Sequence, residues 1–306
     1  MGTDRAVLLM AYGSPNRPEE VEPYYTHIRG GRKPTAAEVA NLTERYSAIG
    51  GRSPLLDITM STARKLESSL GGEFRVYAGM KHWHPYIGEV FNQISQEGVT
   101  ELITIALAPH YSKMSVGSYQ EAVKTANAAQ GEKIKLVFVN QWCDLERFLA
   151  SWTRRIENRL REKFNGVSRE DVFVLFTAHS LPERILTWGD PYKDQLLDTA
   201  AKIASRLSLK NDQFSFAFQS AGHTLEPWLG PDILDKLRDL SSSGRKNILV
   251  APIGFVSDHL EILYDLDVEA TALSHELGFH LERTESFNDS DDFVSVLSSV
   301  VRSHAK

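Results

Sequence analysis

The 306-residue sequence contains a single cysteine, Cys143. One thiol forms no internal disulfide, and it excludes an all-cysteine zinc site or an iron–sulfur cluster ligated by cysteines of one chain. Cys143 is expected to be a packed thiol in a reducing compartment. The sequence also lacks an excess of positive charge: 34 Lys and Arg stand against 40 Asp and Glu, a net charge of −6. That balance argues against a dominant nucleic-acid role, which needs a strong basic field. Arg29, Arg32 and Lys33 form a short basic run. No apolar stretch approaches the ~18 residues that span a bilayer. The run from Ala6 to Ala11 breaks at Tyr12-Gly13-Ser14-Pro15, too early for a signal core and without a cleavage pattern. The expected location is cytoplasmic, with docking to a membrane surface left open.

Familiar nucleotide and hydrolase motifs are missing too. No Gly-x-Gly-x-x-Gly follows a strand, and there is no Gly-x4-Gly-Lys-Ser/Thr, Gly-x-Ser-x-Gly or His-Glu-x-x-His. Short β-branched runs instead alternate with helical patterns from end to end. Strands are expected at Val7–Ala11, Phe74–Ala78, Leu102–Leu107, Leu136–Val139, Val172–Phe176, Phe214–Phe218 and Asn247–Ala251. Helices are expected at Ala36–Ile49, Ile58–Ser69, Pro85–Gln96, Asp194–Ser205 and Asp291–Ser303. Near-continuous apolar strands with crossover helices imply an α/β chain whose parallel sheets are covered on both faces. The loops after the strands carry the polar residues, and in such sheets ligands bind outside the carboxyl ends of the strands. Ala106-Leu-Ala-Pro-His110 echoes Leu249-Val-Ala-Pro-Ile253, which leaves duplication of one half open. The charged helical stretch between Val139 and Val172 divides the chain into halves of 1–147 and 148–306.

Two features could carry chemistry. In Asp258-His-Leu-Glu-Ile-Leu-Tyr-Asp-Leu-Asp-Val-Glu269, a helix stacks Glu261, Asp265 and Glu269 on one face at i, i+4 and i+8, with Asp258 beside them. Such a stripe is either a solvated acidic face, favoured at its start by the helix dipole, or a path for cations or protons. His259, at i−2 from Glu261, cannot share that face, so a partner for Glu261 has to come from elsewhere. His179 closes the Val172–Phe176 strand pattern in Thr177-Ala-His-Ser-Leu-Pro182. It is a metal ligand or base, or else a capping histidine with ordinary hydrogen bonds. Lys81-His82-Trp83-His84 is a weaker metal candidate, read more simply as a loop in which Lys81 and His82 donate hydrogen bonds.

Taken together, several segments resemble the ferrochelatases, and within them the coproporphyrin type of Gram-positive bacteria. These are Leu9-Met-Ala-Tyr-Gly-Ser-Pro15, Tyr24-Tyr-Thr-His-Ile-Arg29, Arg45-Tyr-Ser-Ala-Ile-Gly-Gly-Arg-Ser-Pro-Leu55 and Pro109-His-Tyr-Ser112. Further on come Ser115-Val-Gly-Ser-Tyr119, Ala178-His-Ser-Leu-Pro182, Pro227-Trp-Leu-Gly-Pro-Asp232 and Gly254-Phe-Val-Ser-Asp-His-Leu-Glu-Ile-Leu-Tyr-Asp265. The resemblance implies the chelatase fold: two Rossmann-like halves, each a parallel sheet flanked by helices, with a porphyrin cleft between them. It implies Fe²⁺ insertion into a porphyrin, with His179 and Glu261 as catalytic and metal-binding pair and Asp265 and Glu269 as an acidic row leading to it. Tyr12 looks like the tyrosine that faces the other side of the macrocycle in the coproporphyrin type. Arg29, Arg45, Tyr46, Ser53 and Tyr119 match positions that contact the porphyrin or its propionates.

The resemblance implies no permanently bound cofactor and no iron–sulfur cluster, a monomer, and passing contact with another haem-pathway enzyme. Departures are Trp83-His84 where the family usually has Ile-Glu, Ala221 where Glu is common, and Leu266 and Val268 within the acidic segment. A protoporphyrin enzyme, a cobalt or nickel chelatase for sirohydrochlorin, and a non-enzymatic porphyrin carrier are the alternatives to be separated.

Overall fold

A computed structural model describes residues 3–222 and 224–305. Residues 1, 2, 223 and 306, which include the outer ends of the two expected halves, lie outside that description. The first half carries strands β1 (Arg5–Ala11), β2 (Arg75–Met80), β3 (Glu101–Ala106) and β4 (Lys135–Val139). Its helices are α1 (Val21–Ile28), α2 (Ala36–Ala48), α3 (Leu55–Ser69), α4 (Ile87–Gln96) and α5 (Val116–Ala129). After α6 (Glu146–Lys163) come β5 (Val172–His179), β6 (Phe214–Gln219), β7 (Asn247–Ala251) and β8 (His280–Arg283). The later helices are α7 (Arg184–Thr187), α8 (Tyr192–Arg206), α9 (Ile233–Ser242), α10 (Leu260–Leu263), α11 (Thr271–Leu277) and α12 (Asp291–His304).

The seven strands expected from apolar runs all form, within a few residues of the expected ends. β8 escaped notice because His280-Leu-Glu-Arg283 is short, charged and at a sheet edge, where no buried pattern marks it. All pairings are parallel, and the sheet orders are β2-β1-β3-β4 and β6-β5-β7-β8. The two orders are the same topology used twice. The echo of Ala106–His110 with Leu249–Ile253 falls at the ends of β3 and β7, which occupy equivalent places.

Apolar side chains on both faces of β1 and β5 are buried, as helices on both sides of a parallel sheet require. One core cluster runs through both halves, joining Val7 and Leu9 of β1 to Val174 and Phe176 of β5. At its centre Trp142, Phe148, Trp152, Phe287 and Phe293 pack with neighbouring ring centroids 5.0–6.5 Å apart. Helix α12 buries Phe293, Val296, Leu297 and Val300, the i, i+3, i+4, i+7 stripe of an amphipathic helix. It packs on α3 of the first half as well as on α6. No helix among the described residues is long and apolar enough to cross a membrane.

In each sheet the crossovers diverge on either side of its first strand, so a crevice opens beside the carboxyl ends of β1 and β3, and likewise β5 and β7. The loop after β7 meets the end of β5 at Gly254. Its N–H donates to Thr177 O at 3.1 Å, and a Cβ there would stand 2.3 Å from Ala178 Cβ. Gly254→Ala is therefore expected to destabilise the fold by about 1–3 kcal/mol through overpacking, read from urea unfolding. A variant as stable as the parent would show that this contact relaxes freely.

Candidate active site

A cavity of 340 Å³ lies between the halves, walled by the ends of β1, β2, β3, β5 and β7. A larger groove of 850 Å³ runs beside β8. Its charges are spent on one another, Arg283 with Asp258 and Asp267, and Arg155 with Asp292. The inter-half cavity instead gathers residues singled out from the sequence. His179, Glu261, Tyr12 and Tyr119 all line it.

His179 ends β5. Its backbone carbonyl accepts from the Tyr192 hydroxyl at 2.9 Å, and its Nδ1 meets the Ser180 carbonyl. A carbonyl only accepts, so Nδ1 carries the proton and Nε2 keeps its lone pair. Burial holds the imidazole below its ordinary pKa against the pull of Glu261, and the ring is neutral near pH 7. Glu261 opens α10, where Gln219 Nε2 donates to its backbone carbonyl at 2.7 Å. Gln219 also accepts from Thr177 Oγ1 at 2.9 Å, so one buried amide ties β5, β6 and α10 together. Burial opposes the Glu261 charge, but the imidazoles of His259 and His179 outweigh it and hold the carboxyl below its usual range.

His259 corrects the helical expectation. It is the extended residue before α10, at φ −161° and ψ −175°, so helical spacing does not govern it. Its Nε2 lies 3.3 Å from Glu261 Oε2, and its Nδ1 faces the Ser257 carbonyl at 2.8 Å. Glu261 thus contacts His259 directly, while His179 shares the cavity wall with it.

The acidic row is likewise not one regular helix. Asp265–Ala270 is a π-helix, with Glu269 N–H donating to Tyr264 O five residues back at 2.9 Å. Asp258 leaves the row altogether, bonded by Ser286, Asn288 and Arg283. Asp265 is buried, takes a hydrogen bond from Ser220 Oγ, and pairs with Arg45 Nη2 at 2.5 Å. Glu269 lies 3.8 Å from the same guanidinium, which sits over the Tyr264 ring at 4.4 Å. Burial pushes the Asp265 carboxyl up to about 7 against Ser220 and Arg45, with Glu261 and Glu269 adding to the rise. Desolvation, more than repulsion along the row, readies it to carry a proton. Among the described residues no three His, Cys, Asp or Glu side chains form a ready metal-binding group.

A protein-family model described as ferrochelatase matches residues 4–305. The chain belongs to the ferrochelatase family. It is 48% identical to a ferrochelatase of Herpetosiphon aurantiacus, over 98% of this chain and 99% of that one. It is 42% identical to a coproporphyrin III ferrochelatase of Geobacillus kaustophilus, over 96% and 94% of the two chains. Among solved structures, SirB from Bacillus subtilis with Fe³⁺ superposes with a TM-score of 0.63 at 11% identity, covering 100% of this chain and 96% of that one. That likeness concerns the fold, the two-half chelatase architecture. As a ferrochelatase the protein is an enzyme of porphyrin metallation in haem biosynthesis.

The remaining expected contacts of this ferrochelatase lie outside the cavity wall. Arg45 is engaged by Asp265, and Arg29 by Glu38 at 2.7 Å with its guanidinium over Tyr25. Tyr46 is buried beside Tyr24, and buried Ser53 accepts from Leu55 N–H at the start of α3. Lys81 does line the cavity. Its Nζ donates to Ser118 Oγ at 2.6 Å and lies 5.5 Å from the Tyr119 ring centre. Burial lowers its pKa, and the described residues give it no carboxylate partner. The hint was its place in a strand-end loop.

Asp265 holds its proton in the folded protein well above the ordinary value of 3.8. Between that value and about 7 the folded state binds more protons than the unfolded one, so its contribution to stability falls as pH rises. Asp265→Asn cannot ionise and should lose less stability than the parent between pH 5 and pH 8. Parallel pH profiles in chemical unfolding would show Asp265 ionised throughout.

Proposed function

We propose that this enzyme inserts Fe²⁺ into coproporphyrin III, giving coprohaem. The observation that carries the reading is Tyr12, a residue 39% exposed that lines the same cavity as His179 and Glu261. The phenol is held above its ordinary pKa by its surroundings and by Glu261. Its segment resembles the coproporphyrin type, and a relative from Geobacillus kaustophilus carries that name.

Insertion requires Fe²⁺ to shed water, two pyrrole protons to leave and the ring to expose its lone pairs. A mixed imidazole–carboxylate pair suits a borderline divalent ion that must be released again. His179 Nε2 accepts pyrrole protons in turn, and Glu261 balances the imidazolium and holds the entering iron. Asp265 and Glu269 relay metal inward or protons outward. Lys81, lacking a carboxylate of its own, pairs with a propionate; a charge-assisted bond of this kind is worth about 1.5–3 kcal/mol.

His179→Ala should lower iron insertion by roughly 10²–10⁴-fold while coproporphyrin still binds, as read by fluorescence quenching. Near-full insertion by that variant sinks the assignment. Lys81→Met should raise KM for coproporphyrin III by roughly tenfold or more with kcat little changed, and should not affect the tetramethyl ester; an unchanged KM removes Lys81 from the site. Anaerobic assay with Fe²⁺ and coproporphyrin III beside protoporphyrin IX and sirohydrochlorin decides the substrate. Preference for either of the others overturns the coproporphyrin reading.

A further inference from the structure

On the Tyr12 side of the cavity mouth a second set of imidazoles meets. His27, on α1, and His82, in the loop after β2, face each other with their Nδ1 atoms 3.2 Å apart and their ring planes at 75°. His27 is exposed, while His82 is partly buried and lines the cavity. Both are held before anything binds. His82 N–H donates to the Tyr12 carbonyl at 2.8 Å, and its ring packs 4.5 Å from the Tyr12 ring. The His27 ring packs 5.0 Å from Tyr86. Neither imidazole pairs with a carboxylate among the described residues, unlike nearby His84, which meets Glu89 at 3.1 Å.

A single N–H shared between two lone pairs explains the contact only in part, since it leaves the site open to a stronger occupant. First-row divalent ions bind imidazole nitrogen at about 2.0–2.1 Å. Two nitrogens at that distance from one ion and 3.2 Å from each other subtend about 100°, close to the cis angle of tetrahedral and octahedral coordination. The pair is spaced as a bidentate ligand.

We propose that His27 and His82 bind a divalent first-row cation through their Nδ1 atoms, at a site separate from His179 and Glu261. Imidazole selects ions of the iron, cobalt, nickel and zinc class over magnesium or calcium. Two protein ligands leave the other positions to water, and the charge of adjacent Lys81, bonded to Ser118, opposes a second cation. The affinity is accordingly modest, as befits an ion that is handed on. The use of this ion as cargo rests on the iron-insertion reading; its binding does not.

Titration of porphyrin-free protein with Co²⁺, followed by calorimetry and visible absorbance, tests the site. The parent should show a class of Co²⁺ binding that His27→Ala and His27→Gln each weaken by at least roughly tenfold, and that His179→Ala leaves intact. Glutamine keeps a hydrogen-bonding group opposite His82, so an unchanged unfolding midpoint for His27→Gln separates lost ligation from lost structure. Equal affinity and stoichiometry in parent, His27→Ala and His27→Gln overturns the proposal. So does loss of that class in His179→Ala alone, which assigns it to the inner pair. Failure of the enzyme to use coproporphyrin III would sink the proposed substrate and leave this result standing.

Discussion

The close approach of Gly254 to Ala178 sets the distance on which the site depends. With no side chain between them, the loop leaving β7 lies directly on the end of β5. Two residues that line one cavity are thereby delivered by different strands: His179 by β5, and Glu261 by the helix that follows the β7 loop. Gln219 completes the joint from β6, donating to the Glu261 carbonyl while accepting from Thr177. The geometry is thus backed by the sheet and does not rely on a free loop.

Around that joint the charges are graded. Glu261 is ionised in a wall that also holds the His259 and His179 imidazoles, each committed through Nδ1 to a carbonyl. One turn further on, Asp265 is more deeply buried and holds its proton to higher pH. Arg45 reaches it from α2, in the other half. A single guanidinium therefore faces two carboxyls of the row, Asp265 and Glu269, and joins the two halves. Lys81 stands apart as a cation within the wall, bonded to Ser118 and without a carboxylate partner among the described residues.

Much of this was legible in the sequence. Parallel sheets followed from apolar runs such as Val172–Phe176, and α12 from the spacing of Phe293, Val296, Leu297 and Val300. His179 and Glu261 were visible through their place after strands and through family likeness. What spacing could not reveal was the exact backbone of residues 258–269. Helical periodicity assumes a helix from the first residue, but His259 is extended and the chain widens to a π-helix at Asp265. The extended backbone at His259 lets its ring meet Glu261 and leaves Asp258 outside the row. The partners of Arg29 and Arg45 were hidden for another reason. Arg29 follows the end of α1 and Arg45 lies on α2, and the neighbour of each is fixed only by packing, with Arg45 and Asp265 separated by 220 residues. β8 was missed because a four-residue edge strand buries too little to leave a pattern.

Helix α12 has a consequence for how the protein is made. It follows β8, more than 200 residues after α3, yet it packs on α3 and on the core shared with β1. Chains are synthesised from the amino end, and early segments tend to fold as they emerge. Here the first sheet is made long before α12, so the side of α3 that α12 covers stays open until residues 291–304 have been synthesised. The first half therefore waits with part of its core open while the second half is made, and α12 closes the core that the two halves share.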